Sequence, residues 1–107
     1  MIKPVDWDTR VENLTANTRR LIIQSNPRRI MLSLINLSGT DVFISPRSTV
    51  SATGDARGTP LLANYGNAIQ FKAFIGEDGL KRVYLGEVWA ICTADAAIAV
   101  SEESEVD

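Results

Sequence analysis

From Thr18 to Ser101 the chain is a succession of short apolar runs with a period of two, parted every eight to ten residues or so by proline, glycine, asparagine or aspartate. Side chains alternate between faces along a strand, so runs of this kind bury their apolar side only by stacking as sheets. The helical alternative fails. No window of about eleven residues keeps an apolar stripe at i, i+3, i+4 and i+7 without a proline, a glycine or a strong strand pattern intruding. The spacing predicts an all-β sandwich or barrel.

Residues 20–24 make a first strand, stopped at Ser25-Asn26-Pro27 because proline gives no ladder donor and restricts its predecessor. Residues 29–37 make the longest, with Ile30, Leu32 and Leu34 on one face and Met31, Ser33 and Ile35 on the other. Apolar side chains on both faces predict a central strand, or one laid against another subunit. Gly39 permits a tight connection to residues 42–45, and Pro46 ends that run. Residues 47–59 are small and polar and suit a mobile surface loop with at most a short edge strand near Val50. Leu61 and Leu62 begin a short strand that residues 64–67 interrupt, and residues 68–75 resume alternation. Glu77-Asp78-Gly79 then reads as a three-residue hairpin turn leading back through residues 80–85. Strands at 87–93 and 97–101 complete the series, about eight in all.

A chain of 107 residues holds one domain, and a 45% hydrophobic content supplies one core. Residues 18–103 are that domain. Residues 1–17 mix Pro4, Trp7 and alternating charges with Asn13, Thr15 and Asn17, and are expected as an extended N-terminal arm. Trp7 then either tucks back onto the domain or anchors the arm on a neighbour, a role in which tryptophan is favoured. Residues 104–107 close an acidic stretch and are expected as a frayed tail.

The sequence has no histidine. That removes the usual general base at neutral pH, the commonest metal ligand and the ordinary Ser-His and Cys-His nucleophiles. Cys92 is the sole cysteine, set in the apolar run Trp89-Ala-Ile-Cys-Thr93, so it reads as a buried thiol with no intrachain disulfide. Asp41, Asp78 and Asp95 sit at turns and Asp55 in a glycine-rich loop, where aspartate serves local hydrogen bonding. Glu87, next to apolar strand residues, reads as a solvated or salt-bridged acid. No catalytic, cofactor or metal site is expected, and the chain reads as a non-enzyme.

A net charge of −2 excludes the basic footprint of a dedicated nucleic-acid binder. No apolar stretch is long enough to cross a bilayer as a helix, and the N-terminus carries acids in place of the apolar run of a secretion signal. The charge is uneven: residues 1–53 hold seven Lys/Arg against four Asp/Glu, and the remainder four against nine. Two arginine pairs, Arg19-Arg20 and Arg28-Arg29, each adjoin an apolar strand, where they either protect a sheet edge or meet an acidic surface. With Trp7, Arg10, Asp55 and Arg57 they are the candidate partner-binding residues.

The runs Asn26-Pro-Arg-Arg-Ile-Met-Leu-Ser-Leu-Ile-Asn-Leu-Ser38, Asp41-Val-Phe-Ile-Ser45, Gly86-Glu-Val-Trp-Ala-Ile-Cys92 and Ala97-Ile-Ala-Val-Ser-Glu102 together resemble a recurrent kind of small bacteriophage virion protein. In that kind an Asn-Pro-x-Arg turn leads into a strand ending in Asn-x-Ser/Gly, and a Gly-Glu-Val/Ile-Trp/Tyr-Ala strand precedes a short terminal one. The resemblance covers residues 24–103 and implies a jelly-roll-like antiparallel β-sandwich acting as a head-decoration or minor capsid protein. It further implies a virion location, the major capsid protein or other virion subunits as partners, and a homo-oligomer such as a trimer. A tail, baseplate or fibre-anchoring adaptor is the second reading. A carbohydrate-binding module with Tyr65, Tyr84 and Trp89 as its platform is the reading from a different class.

Overall fold

The period-two runs become ten strands in a computed structural model that describes residues 4–54, 57–72, 74–75, 77–78 and 81–106. In chain order they are β1 (Val5–Leu14), β2 (Arg20–Ile23), β3 (Arg29–Asn36), β4 (Val42–Ser45), β5 (Thr59–Leu61), β6 (Ala68–Lys72), β7 (Phe74–Ile75), β8 (Lys81–Arg82), β9 (Val88–Cys92) and β10 (Ala96–Glu105). One antiparallel sheet has the order β1-β10-β3-β6, a second has β2-β9-β4-β5, and β7 and β8 form a small hairpin. Apart from β4–β5 and that hairpin, no strand among the described residues pairs with its neighbour in sequence. The chain alternates between layers, as in a jelly roll.

The core lies between the layers. Leu14, Leu32, Leu34, Ile98 and Val100 come from the first sheet, and Ile22, Ile23, Val42, Ile44, Leu61, Val88, Ala90 and Cys92 from the second. β3 is central, with β10 on one side and β6 on the other, as its two apolar faces predict.

Three features differ from the sequence reading. Most of the segment expected as an arm is β1, in unbroken register with β10 from Val5↔Glu105 to Leu14↔Ala96. Buried Leu14 anchors it at one end, and the same pairing draws β10 out to Glu105, into the expected tail. The second difference is a register slip in β3: Glu103 faces Met31 but Ser104 faces Arg29. The extra residue works as a bulge and turns Arg29 inward where strict alternation places Ile30.

The third is the loop expected to be mobile, whose described residues pack down. Val50 is 1% exposed, its carbonyl accepts from Arg19 Nε at 2.6 Å, and Gly58 N donates to Ser51 O at 3.0 Å. A side chain at Gly58 would stand 2.5 Å from the Ile44 carbonyl oxygen, so that close approach requires glycine. The expected strand 80–85 is regular only in β8, and Tyr84 turns back against Phe71 with ring centroids 5.5 Å apart. The expected turn glycine, Gly79, lies outside the described residues.

Candidate interaction surface

On β1 the even-numbered side chains face the inter-sheet space. Leu14 joins the core, but Asp8, Arg10 and Glu12 bring charge to the side where β1 meets β2. Arg10 Nη1 donates to Asp8 Oδ2 at 2.7 Å, Nε to Glu12 Oε1 at 2.9 Å and Nη2 to the Ile22 carbonyl at 3.0 Å. Arg20 Nη2 on β2 reaches the other oxygen of Glu12 at 3.1 Å. Partial burial alone would lower the Arg10 pKa, but the hydrogen bonds and charges of Glu12 and Asp8 outweigh it and hold the pKa above its usual range. This ladder ties the edges of the two sheets together.

Deeper at the same end, Arg29 is 1% exposed. Its guanidinium donates to Glu102 Oε2 at 2.7 Å, to the carbonyls of Tyr84 and Gly86 at 3.0 Å each, and to that of Gln24 at 2.8 Å. A planar fork with five donors can serve four acceptors on three separate segments, which an ammonium cannot. Arg29 therefore fastens β10 to the residue that follows β2 and to the segment before β9.

The odd-numbered side chains of β1 face outward. Trp7 is 67% exposed, Val11 54% and Val5 49%. The register extends two rows from them across the sheet: Val11-Ala99-Ile35-Ala68, apolar throughout, and Thr9-Ser101-Ser33-Gln70, small and polar. A third row runs Trp7-Glu103-Met31-Lys72. On the other sheet a loop covers part of the outer side: Arg57 sits over the Phe43 ring, 5.9 Å from the centroid. The exposed outer row and the unpaired edge of β1 form the surface best suited to contact another protein.

The residues singled out in the sequence do not gather at one place. Trp7 is on this surface. Arg10 and Arg20 lie in the charged ladder, and Arg19 holds the loop at Val50. Arg28 is at the turn, where its backbone N–H bonds Asn26 Oδ1 at 3.0 Å. Arg57 stacks on Phe43. Arg29 departs from its expected role: the bulge turns it inward, four acceptors use its donors, and no partner can reach it. Asp55 lies outside the described residues. The aromatics of a sugar platform are scattered too, Tyr84 against Phe71, Trp89 on the outer side of β9 and Tyr65 in the turn before β6. Val5, Thr9 and Val11 were not singled out, although their alternation with Asp6, Asp8, Arg10 and Glu12 is a strand period in plain view.

No family model and no curated protein matches the chain. A solved structure described as "Bacillus endospore appendages form a novel family of disulfide-linked pili" superposes over 100% of this chain and 93% of that one, with a TM-score of 0.50 and 10% identity. At that identity the likeness is one of fold.

Proposed function

We propose that this chain is a non-enzymatic structural subunit that binds neighbouring subunits of a larger assembly through the edge and outer face of its first sheet. The observation carrying this reading is β1, ten residues long and paired on one side, which presents Val5, Trp7 and Val11 to solvent. Edge strands are blunted by proline, bulges or charge, inward-pointing charge included. On β1 the charges of Asp8, Arg10 and Glu12 are taken up in ion pairs with one another and with Arg20, and the outward positions Val5, Trp7 and Val11 are apolar. The shared fold with a protein described as forming pili supports an assembly role, and the virion-like motifs of residues 24–103 favour a capsid-bound decoration or minor capsid protein within that class.

A disulfide-linked array is not open to this sequence. Linking subunits through disulfides into a continuous array takes at least two reachable thiols per subunit, whereas Cys92 stands alone and is 0% exposed. Burial, with a smaller push from the charge of Asp95, holds its thiol pKa above the ordinary range, which further suppresses the reactive thiolate.

The test is co-sedimentation with capsid shells that lack the protein, using the intact chain and Trp7→Ala. Deleting residues 1–17 is unsuitable, because it removes Leu14 from the core and bares the edge of β10. Binding that Trp7→Ala weakens at least tenfold supports the reading. A chain that stays monomeric and ignores shells, tails and baseplates alike would overturn it; binding to tails alone moves the assignment to an adaptor.

A further inference from the structure

The assembly reading leaves open which contact copies of the chain make with one another, and the backbone of β1 narrows the choice. The N–H of Val106 donates to the carbonyl of Pro4 at 3.3 Å, in line with the β1–β10 register, and Leu37 N donates to Ala97 O at 2.9 Å on the other side of β10. Even-numbered residues of β1 therefore spend their backbone groups on β10. The N–H and C=O groups of Val5, Trp7, Thr9, Val11 and Asn13 point to the free edge.

The other edges are poorer templates. β5 is three residues long with Pro60 at its centre, β2 is four residues with a register slip, and β6 is five residues ending at Lys72. β1 has ten residues, with neither proline nor slip.

Resting on the assembly reading, we infer that β1 pairs antiparallel with β1 of a second copy about a two-fold axis at Thr9, joining two four-stranded sheets into one. Symmetry and the outward backbone groups allow a handful of registers, and charge selects among them. Centred on Thr9, Asp8 faces Arg10 twice, Trp7 faces Val11 twice, and Thr9 faces Thr9. Opposite-charge, aromatic–β-branched and Thr–Thr pairs are the combinations that stabilise antiparallel strands. Moving the centre to Asp8 sets Asp8 against itself. Moving it to Arg10 sets Arg10 against itself and Asp8 against Glu12, and moving it to Trp7 sets Asp6 against Asp8. A centre at Val11 matches Arg10 with Glu12 but cuts the overlap from residues 5–13 to residues 8–14. The chosen register does place Asp6 opposite Glu12 near each end, where Glu12 is already paired with Arg10 and Arg20. Three of the five Arg10 N–H groups are used within the chain, which leaves donors for Asp8 of the second copy.

The experiment reads oligomeric state by analytical ultracentrifugation across a concentration series, for the wild type and for Thr9→Pro. Proline at Thr9 removes an edge donor and no ladder bond to β10, so the far-UV spectrum should persist while dimer formation weakens at least tenfold. A second readout does not depend on that variant folding: Thr9→Cys, oxidised at a concentration where the wild type is dimeric, should give a covalent dimer, since hydrogen-bonded partners have Cα atoms about 5.5 Å apart, within disulfide reach. Asn13→Cys, which would face Val5, should not cross-link. Buried Cys92 is a silent background. Oligomers that survive Thr9→Pro, or cross-linking through Asn13→Cys in place of Thr9→Cys, overturn the edge pairing and leave the assembly reading with a different surface. A wild type that is monomeric at every concentration overturns the edge pairing, and the assembly reading then stands or falls on the shell co-sedimentation.

Discussion

Replacing Arg29 by methionine tests how this sandwich tolerates a charged interior. The change keeps most of the side-chain volume and removes the fork that serves Glu102 and the carbonyls of Gln24, Tyr84 and Gly86. Removing one partner of a buried ion pair costs about 3–5 kcal/mol, because the other charge is left without compensation. Each carbonyl deprived of its donor adds about 1–3 kcal/mol where water cannot replace it. Gln24 is exposed and recovers a water, which leaves the carbonyls of Tyr84 and Gly86, so the total expected is about 5–11 kcal/mol. Domains of this size have about 5–15 kcal/mol to lose, so the variant should be close to unfolding. Urea titration followed by tryptophan fluorescence measures it, and a midpoint shift of roughly 3 M or an already unfolded baseline is expected. Glu102→Gln should cost about 3–5 kcal/mol, since it leaves the Arg29 charge buried without a counter-charge, while the three carbonyl acceptors of Arg29 are kept. Adding Glu102→Met to Arg29→Met should restore only the ion-pair part. A loss below about 1 kcal/mol for Arg29→Met would refute the reasoning and make the network a spectator of backbone geometry.

The remaining expectations concern the loop, the thiol and the exposed row. Gly58→Ala should destabilise by about 1–3 kcal/mol, because the new carbon meets the Ile44 carbonyl and Val50 where neither can withdraw freely; a neutral result in thermal unfolding would show that the loop is not held down. Cys92 should resist alkylating reagents in the native protein at pH 8 and react on unfolding. Burial raises the pKa values of Cys92 and Tyr84 above their usual 9.0 and 10.0, so the folded state holds both protons more tightly than the unfolded chain. Their contribution is complete below about pH 9 and is lost as pH rises through the folded values, so the urea midpoint should fall as pH is raised above about 9. Cys92→Ala should shrink that fall. Trp7→Ala should change monomer stability by less than about 0.5 kcal/mol, as its ring is mostly in water.

The central strands were legible because burial and period agree. In β3, β4 and β9 alternate positions are buried and their partners are not, so the apolar pattern alone locates them. Central placement of β3 follows from its second apolar face. β1 was illegible for the opposite reason. Its alternation is regular, but charged residues hold the inward positions, and a reader who equates apolar with inward finds no strand. β10 ran past Ser101 unseen for the same cause: Glu102 faces inward because Arg29 receives it, and that depends on a bulge no local pattern announces. The assignment of Arg29 to a partner surface failed on that bulge, since a one-residue slip reverses the face of a side chain.

The inversion of β1 also bears on energetics. Burying a valine or a similar side chain stabilises by about 1.5–3 kcal/mol, and Val5, Trp7 and Val11 leave most of that gain unclaimed in the monomer. Two copies joined at Thr9 bring six such side chains together, but on a sheet face each is covered on one flank alone, so roughly half the gain, about 4–9 kcal/mol, is available. Bringing two proteins together costs about 4–15 kcal/mol. The ladder bonds of one strand pair and the two Asp8–Arg10 contacts must supply the surplus. Such a contact between free copies is therefore weak, micromolar at best, and becomes firm only when many copies are held in place by an array. Dilution of the free protein should show monomer and dimer in exchange; a dimer that survives at nanomolar concentration would mean that a larger buried surface than this edge holds the copies together.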